Sequence, residues 1–183
     1  MAIPKNTKIP SSSQFAKLQD GKNKFRILSD VIVGWEGWKN KQPFRHEGQV
    51  CKIKTEDVDT NQNGKPNINY FWAMVVYNYK DGCIQVLELT QKTIMGPLYD
   101  LEQNEDWGDL KNYDVEINKK KEGDKVSYTV LGIPPKPISS EIEALYKATD
   151  VDLNKLFEGE YPITEQKDEE VINVDDVPFD NTK

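Results

Sequence analysis

The sequence has few of the residues from which catalytic and metal centres are built. Among 183 residues there are one histidine, His46, and two cysteines, Cys51 and Cys83. Structural zinc takes four ligands, commonly as two close pairs, so these three residues do not predict a zinc site. A single histidine also removes the commonest general base from almost every position. We therefore expect no metal, no cofactor and no enzymatic activity.

Long hydrophobic runs are absent as well. No stretch has the length and apolarity of a signal peptide or a membrane span, and two cysteines are too few for a disulfide framework. This pattern predicts a reduced, cytoplasmic protein with no membrane partner. Neither a nucleophile elbow nor a phosphate-binding glycine loop occurs in the sequence.

One segment imitates a calcium-binding loop. The spacing Asp59-x-Asn61-x-Asn63-Gly64 matches the start of such a loop, but Tyr70 stands where the loop requires a bidentate glutamate. We interpret residues 55–67 as a loop of turn-forming residues that caps a hairpin.

The formal net charge of −7 is unevenly distributed. Residues 158–183 hold nine acidic residues and two lysines, so they account for the whole −7. Residues 1–65 hold 12 basic and 7 acidic residues, whereas residues 66–157 hold 10 and 15. The basic amino-terminal half is where we expect a phosphate backbone to bind, and the alternative is that its lysines are ordinary solvated surface.

Alternating apolar and polar residues predict several strands. The first strand runs over 23–33, and a loop at 34–48 rich in aromatic and basic residues separates it from a short strand at 49–54. Residues 69–79 have the strongest strand composition in the chain, and the turn at Asp81-Gly82 joins them to 83–89 in a hairpin.

The second half of the chain combines helices with another hairpin. Residues 91–105 place apolar side chains at helical spacing. A hairpin then joins 113–117 to 126–131 through a lysine-rich turn at 119–125. Short helices are expected at 139–149 and 150–157.

This order of elements predicts a mainly β protein. Five or so strands with a helix inserted before the last two correspond to the OB-fold, a small five-stranded β-barrel that binds oligonucleotides on a sheet face and with two of its loops. Those loops correspond to 34–48 and 119–125. The predicted organisation is a flexible amino-terminal arm (1–21), an OB-fold domain with short C-terminal helices (22–157) and a disordered acidic tail (158–183).

A protein that binds single strands without sequence preference needs aromatic rings for base stacking and cations for the phosphates. Trp35 and Trp38 supply rings in the first loop, the alternative being that one of them plugs the end of the barrel. On 69–79, either Tyr70 and Trp72 face outward or, in the opposite register, Tyr77 and Tyr79 do. The predicted DNA-binding residues are Lys22, Lys24, Arg26, Trp35, Trp38, Lys39, Lys41, Arg45, Tyr70, Trp72, Tyr77, Lys119, Lys120 and Lys121.

The acidic tail carries one short apolar tip, Asp175-Asp176-Val177-Pro178-Phe179. This tip resembles the acidic ending of bacterial single-stranded DNA-binding proteins, which binds replication and repair partners. It departs from that pattern because Asp180-Asn181-Thr182-Lys183 follow, so no terminal carboxylate lies beside Phe179. The predicted partner-binding residues are Asp175, Asp176, Val177, Pro178 and Phe179.

The body of the chain resembles phage single-stranded DNA-binding proteins from about Phe15 to Ser139. The resemblance is concentrated in residues 17–21, 25–29, 34–38, 71–79 and 84–92. It implies an OB-fold that coats and protects single-stranded DNA during replication, recombination and repair in the infected bacterial host, and a tail that recruits other replication and recombination proteins.

Two expectations concern how such a protein would work. The tail is hypothesised to compete with DNA for the basic groove, and self-association on DNA is possible. The alternative function is that of a scaffold β-barrel in a replication complex, which displays the tail and has no DNA-binding activity of its own.

Overall fold

The computed structural model describes residues 13–164. The first twelve residues of the predicted arm, and the tail from residue 165 onward with its predicted partner-binding tip, lie outside the described residues. The strands are β1 (Gly21–Ile27), β2 (Ile32–Lys39), β3 (Gln42–Glu47), β4 (Ile68–Asn78), β5 (Cys83–Leu89), β6 (Asp114–Glu122) and β7 (Lys125–Gly132). The α-helices are α1 (Lys92–Gln103) and α2 (Ser140–Ala148), and 3-10 helices span Thr55–Asp57, Leu110–Asn112 and Leu153–Glu158.

The strand predicted at 69–79 from its β-branched and aromatic composition is present as β4, and it lies at the centre of the sheet. One edge of β4 pairs antiparallel with β5, which confirms the hairpin predicted from the Asp81-Gly82 turn. The other edge pairs with β1 and then with β2. The helix predicted at 91–105 and the short helices predicted at 139–149 and 150–157 are also present.

The strand predicted at 23–33 is interrupted. It divides into β1 and β2 at residues 28–31, where Ser29 Oγ accepts a hydrogen bond from the backbone N–H of Val75 at 2.9 Å. A serine oxygen therefore replaces one bond of the β-ladder, and the chain continues along the same edge of β4 after the interruption.

The prediction of a loop at 34–48 is wrong, because β2 and β3 form a hairpin there with a two-residue turn. Its turn residues Asn40 and Lys41 have φ values of 51° and 62°, the left-handed values that a type I′ turn requires at both positions. The strand predicted at 49–54 is not formed. The lysine-rich turn predicted at 119–125 is wrong in the same way, because β6 extends to Glu122 and only Gly123 and Asp124 form the turn.

The mainly β class is confirmed, but the closed five-stranded barrel is not. Within residues 13–164 the sheet has seven strands and is open, with the order β3-β2-β4-β1-β6-β7 and β5 on the second edge of β4. Strand β7 pairs only with β6 in the part of the chain that the structure describes.

Both faces of β4 are covered along most of its length. On one face, Met74 and Val76 pack against α1 and the side chains of β1 and β6 in the larger core. On the other face, Phe71 and Val75 pack against the C-terminal 3-10 helix Leu153–Glu158. The aromatic side chains of β4 that remain half-buried are Tyr70 and Trp72 toward its start and Tyr77 near its end.

The segment 13–20, within the predicted arm, lies against β5. Ala16 N donates to Val86 O at 2.9 Å, and Val86 N donates to Gln14 O at 2.8 Å. The side chain of Gln14 makes two further hydrogen bonds with the backbone of Ile163, of 2.7 and 2.9 Å. The first and last described segments are therefore joined at one edge of the sheet.

Candidate nucleic-acid interface

An aromatic row crosses three strands on one side of the sheet. Trp35 on β2 lies directly opposite Tyr70 on β4 and His46 on β3, and directly opposite residues share a face. The ring centroids of Trp35 and Tyr70 are 5.3 Å apart, and those of Phe44 and His46 are 6.0 Å apart. We call the side that carries Tyr70, Trp35, His46 and Phe44 the open face, because His46 is exposed and the other three side chains are half-buried.

A glycine allows one of these rings to pack closely against β2. A Cβ atom at Gly37 would lie 2.6 Å from Phe44 Cζ and 2.9 Å from Val58 Cγ1. These distances are shorter than real Cβ contacts, so a side chain at this position would displace the ring. Gly37 therefore contributes to the open face by the absence of a side chain.

Gln49 fixes the two central rings by their polar edges. Trp35 Nε1 donates to the Gln49 backbone oxygen at 3.0 Å, and the Tyr70 hydroxyl donates to Gln49 Oε1 at 3.2 Å. These bonds satisfy the polar groups of both rings. What the rings offer to a ligand is therefore their aromatic surface.

Two unpaired lysines flank the row. Lys39 follows Trp35 by four residues on the same strand and is exposed, which places it roughly 13 Å along β2. Lys92, the first residue of α1, lines a small pocket together with Trp35 and Tyr70. Neither ammonium group lies within ion-pair distance of a carboxylate in residues 13–164. Both charges are therefore available to an anionic ligand.

The opposite side of β2 and β3, which we call the covered face, is built differently. Trp38 is three residues from Trp35 and so points to this side, where its Nε1 donates to Glu36 Oε1 at 2.7 Å. Arg45 Nη2 lies 2.9 Å from both Glu36 Oε2 and Glu88 Oε2. The Arg45 side chain is only 11% exposed, so Trp38 and Arg45 belong to a buried charge cluster.

The charge cluster changes the titration of Glu88. Burial, together with the hydrogen bond to Glu36 and its negative charge, raises the pKa of Glu88 to about 8, although Arg45 acts in the opposite direction. The Arg45 guanidinium lies 2.9 Å from the carboxyl groups of both Glu36 and Glu88. Arg45 is therefore held inside the cluster and is not presented to a phosphate group.

The covered face is closed by the C-terminal 3-10 helix. A Cβ atom at Gly34 would lie 2.5 Å from the backbone oxygen of His46, 2.9 Å from Phe71 Cε1 and 3.0 Å from Phe157 Cε1. Phe71 and Phe157 also contact each other, with ring centroids 6.1 Å apart. Around Gly34 and Phe71 the helix therefore occupies the space that a base would need for stacking.

A second cluster holds the predicted cations of β1. Asp114 is fully buried, and it lies 3.4 Å from Arg26 Nη1 and 3.3 Å from the Nζ atoms of Lys24 and Lys136. Burial raises the pKa of Asp114, but hydrogen bonds from Tyr79, Lys136 and Lys24 outweigh this effect and lower the pKa overall. Lys24 and Arg26 therefore serve mainly to neutralise Asp114.

Tyr77 lies beside this second cluster and not on the open face. Its ring is edge-on to Tyr79, at 5.1 Å between centroids, and Lys24 Nζ lies 4.3 Å from the centre of the Tyr79 ring. Burial and the neighbouring Asp114 raise the pKa of Tyr79 to about 12. Tyr79 is therefore a neutral hydrogen-bond donor at physiological pH.

A cleft of about 860 Å³ opens next to the second cluster, between the end of β1, the segment 135–138 and α2. Its cations are already paired. Lys111 contacts Asp30, Lys147 lies 3.2 Å from Glu143, and Arg26 and Lys136 face Asp114. The cleft is larger than the pocket beside Trp35. Its positive charges are, however, already neutralised by carboxylates, so they are less available to a phosphate group.

The remaining predicted residues are dispersed. Lys22 lies 3.8 Å from Glu116, Lys119 lies 3.6 Å from Asp20, and Lys120 lies 2.8 Å from Glu122. Lys41 and Lys121 are exposed, at the β2–β3 turn and near the end of β6. Trp72 packs against the larger core, and its buried Nε1 has no hydrogen-bond partner in residues 13–164.

Of the predicted DNA-binding residues, Trp35, Tyr70 and Lys39 are thus brought to one face. Sequence reasoning did not select His46, Phe44, Gln49 or Lys92 for this face. The available signal was Asn40-Lys41: had it been interpreted as a two-residue turn, the alternation of the flanking residues would have placed His46 opposite Trp35.

Comparison with known proteins adds no assignment. The chain matches no protein-family model, and a search of curated protein sequences gave no significant match. Among residues 13–164, no helix is long and apolar enough to cross a membrane. In the same residues, no group of three or more His, Cys, Asp or Glu side chains has an arrangement that could hold a metal ion.

Proposed function

We propose that this protein binds single-stranded DNA without sequence preference, through the open face, and coats single strands during phage DNA replication, recombination and repair. The observation that carries this proposal is the row of Tyr70, Trp35 and His46 across three strands, flanked by Lys39 and Lys92, which have no ion pair within residues 13–164. Rings provide stacking surfaces for any base, and mobile cations neutralise phosphates, so this combination suits sequence-tolerant binding.

The strand arrangement supports an OB-like interpretation of the fold. If β1 and β2 count as one interrupted strand and β3 is set aside as the second strand of a hairpin, five strands remain, with α1 inserted before the last two. OB-folds are partly open five-stranded barrels. The hairpin β2–β3 then extends the first strand beyond the barrel. The open face is the surface of that extension.

The test compares two tryptophans of one strand. Trp35→Ala removes a stacking ring and should weaken binding to an unstructured oligonucleotide by roughly 5- to 150-fold, since stacking contributes about 1–3 kcal/mol per base. Trp38→Ala is the matched control, because Trp38 lies on the covered face. It should bind DNA as tightly as the wild type under conditions where it is folded.

Fluorescence anisotropy with single- and double-stranded oligonucleotides of unrelated sequence measures both variants. Tighter binding of single strands with little base preference supports the proposal. Equal losses of affinity in Trp35→Ala and Trp38→Ala would show that DNA binding is not confined to the open face. No binding by the wild-type protein at low salt would favour the scaffold function.

The acidic tail is proposed to regulate the same site and to recruit replication and recombination proteins through residues 175–179. The support is its charge: residues 165–183 hold seven acidic residues and two lysines. Truncation after Thr164 keeps Ile163 in its contacts with Gln14 and Val151. The truncated protein should bind single strands more tightly at low salt, and an affinity unchanged across a salt titration would contradict tail competition.

A further inference from the structure

A small pocket opens between the aromatic row and the first turn of α1. It has a volume of about 190 Å³ and is lined by Trp35, Tyr70, Ile68, Met95, Thr90 and Lys92, together with Asn69. A dry cavity of roughly 150 Å³ is known to accommodate benzene, so this pocket has room for one six-membered ring system. It is too small for a complete nucleotide.

The geometry of the two rings makes a continuous base stack impossible at this point. The planes of Trp35 and Tyr70 are inclined by 57°, and their centroids are only 5.3 Å apart. A base stacked on Trp35 would be steeply tilted against a base stacked on Tyr70. A strand that follows the row must therefore bend between these rings, and a bend separates one base from its neighbours.

The chemistry of the walls fits a separated base. Ile68 and Met95 are apolar, Trp35 and Tyr70 offer ring surface, and the Thr90 hydroxyl is exposed at the rim without a hydrogen-bond partner in residues 13–164. The Lys92 ammonium at the same rim is unpaired within those residues, and residues 66–157 otherwise carry an excess of acid. The Lys92 ammonium group is therefore available to contact one phosphate.

We infer that this pocket takes one pyrimidine base, turned out of the bound strand, with Lys92 on its phosphate. The inference rests on the proposed function, because it specifies a subsite of the open face. Its consequence is a modest preference for pyrimidines at one position of an otherwise sequence-tolerant site. The hydroxyl of Thr90 can donate to a carbonyl oxygen of the base or accept from an exocyclic amine.

The experiment fills the pocket without changing the row. Thr90→Phe places a ring in the pocket, and Lys92→Gln removes only the charge. Lys125→Gln is the control, since Lys125 is exposed on β7 and has no ion pair among the described residues. Anisotropy titrations use oligo(dT) and oligo(dA) of equal length, each over a range of salt concentrations, and circular dichroism verifies that each variant is folded.

The wild type should bind oligo(dT) several-fold more tightly than oligo(dA). Thr90→Phe should abolish this preference while it still binds both oligonucleotides, and Lys92→Gln should reduce the salt slope by about 0.7, as expected for one contact to a single-strand phosphate. Lys125→Gln should change neither quantity.

Two failures are distinguishable. If Thr90→Phe and Lys92→Gln behave as the wild type while Trp35→Ala loses affinity, the pocket is not a base subsite but the open face still binds DNA. If the wild-type protein does not bind single-stranded DNA, the proposed function itself is contradicted, and with it the base subsite. A preference that persists in Thr90→Phe overturns the inference even when Lys92→Gln changes the salt slope.

Discussion

The open face and the covered face are two sides of the same three strands, and they use similar residues for different purposes. Each has a tryptophan from β2 and a glycine that admits a neighbouring aromatic ring. On the open face the ring edges are bonded to Gln49, and the flanking lysines have no ion-pair partner in the described part of the chain. On the covered face the tryptophan and the arginine are both bonded to Glu36. The two faces therefore differ less in residue type than in whether their rings and cations are already engaged by neighbouring side chains. Accessible rings and cations can contact a ligand, whereas engaged ones stabilise the fold.

The largest expected effect comes from breaking the covered face. Arg45→Met leaves Glu36 and Glu88 buried without their guanidinium, and removal of one member of a buried ion pair typically costs about 3–5 kcal/mol. Urea denaturation measures the free energy of unfolding. Lys41→Met, an exposed position on the adjoining turn, is the control and should change stability little. A stable Arg45→Met protein would show that the cluster is not required for folding.

A smaller effect is expected from pH. In the native state the pKa of Glu88 is raised to about 8, whereas the ordinary pKa of a glutamate is 4.5, so unfolding at a pH between these values releases a proton. Stability is therefore highest below the lower value and falls as the pH rises toward 8, by on the order of 1 kcal/mol per pH unit. Urea denaturation at several pH values between 5 and 8 measures this slope, and Glu88→Gln should flatten it. An unchanged slope in Glu88→Gln would assign the effect to other groups.

Substitution of Gly34 and of Gly37 by alanine tests the difference between the two faces further. Gly34→Ala would place a Cβ atom against a backbone oxygen and two packed rings, and overpacking of this kind costs about 1–3 kcal/mol. Gly37→Ala meets only the ends of the Phe44 and Val58 side chains, so it should cost less stability. It should instead weaken oligonucleotide binding, because it displaces Phe44 from the open face. Thermal denaturation measures the stability of both variants, and fluorescence anisotropy measures their affinity for the oligonucleotide. A loss of affinity in Gly34→Ala together with a loss of stability in Gly37→Ala would contradict the roles given to the two faces.

The smallest expected effect is at the turn between the faces. Lys41 has a φ of 62°, and glycine adopts this conformation without steric cost, so Lys41→Gly should stabilise the protein by up to about 1 kcal/mol. Binding of single strands should be nearly unchanged, since Lys41 lies at the end of the hairpin. A large loss of affinity in Lys41→Gly would show that Lys41 contributes to DNA binding.

Much of the fold could be predicted because local patterns were strong. The composition of 69–79, the turn at Asp81-Gly82 and the helical spacing of 91–105 each specify one element, and all three are present. The 34–48 hairpin was missed because Trp, Gly and Lys in this segment also suit a loop, and the turn Asn40-Lys41 lacks the glycine that usually marks its type. Whether the sheet closes depends on long-range pairing, which no local pattern specifies.

The candidate site was harder to predict, since charge pairing is invisible in the sequence. Arg26 and Arg45 were selected as cations, yet each lies against a carboxylate that is distant in the chain, Asp114 and Glu88. Lys92 was not predicted, because nothing in the sequence alone places it beside Trp35. Only the register of the sheet determines which cations are neutralised and which rings share a face.

The hydrogen bonds between Gln14 and Ile163 connect residues 149 positions apart, and they give the described chain the form of a nearly closed ring. The contact between the first and the last described segments is therefore intramolecular, and its effective concentration does not depend on the amount of protein in the cell. A substitution of Gln14 that removes both hydrogen bonds would release this connection without changing any strand of the sheet.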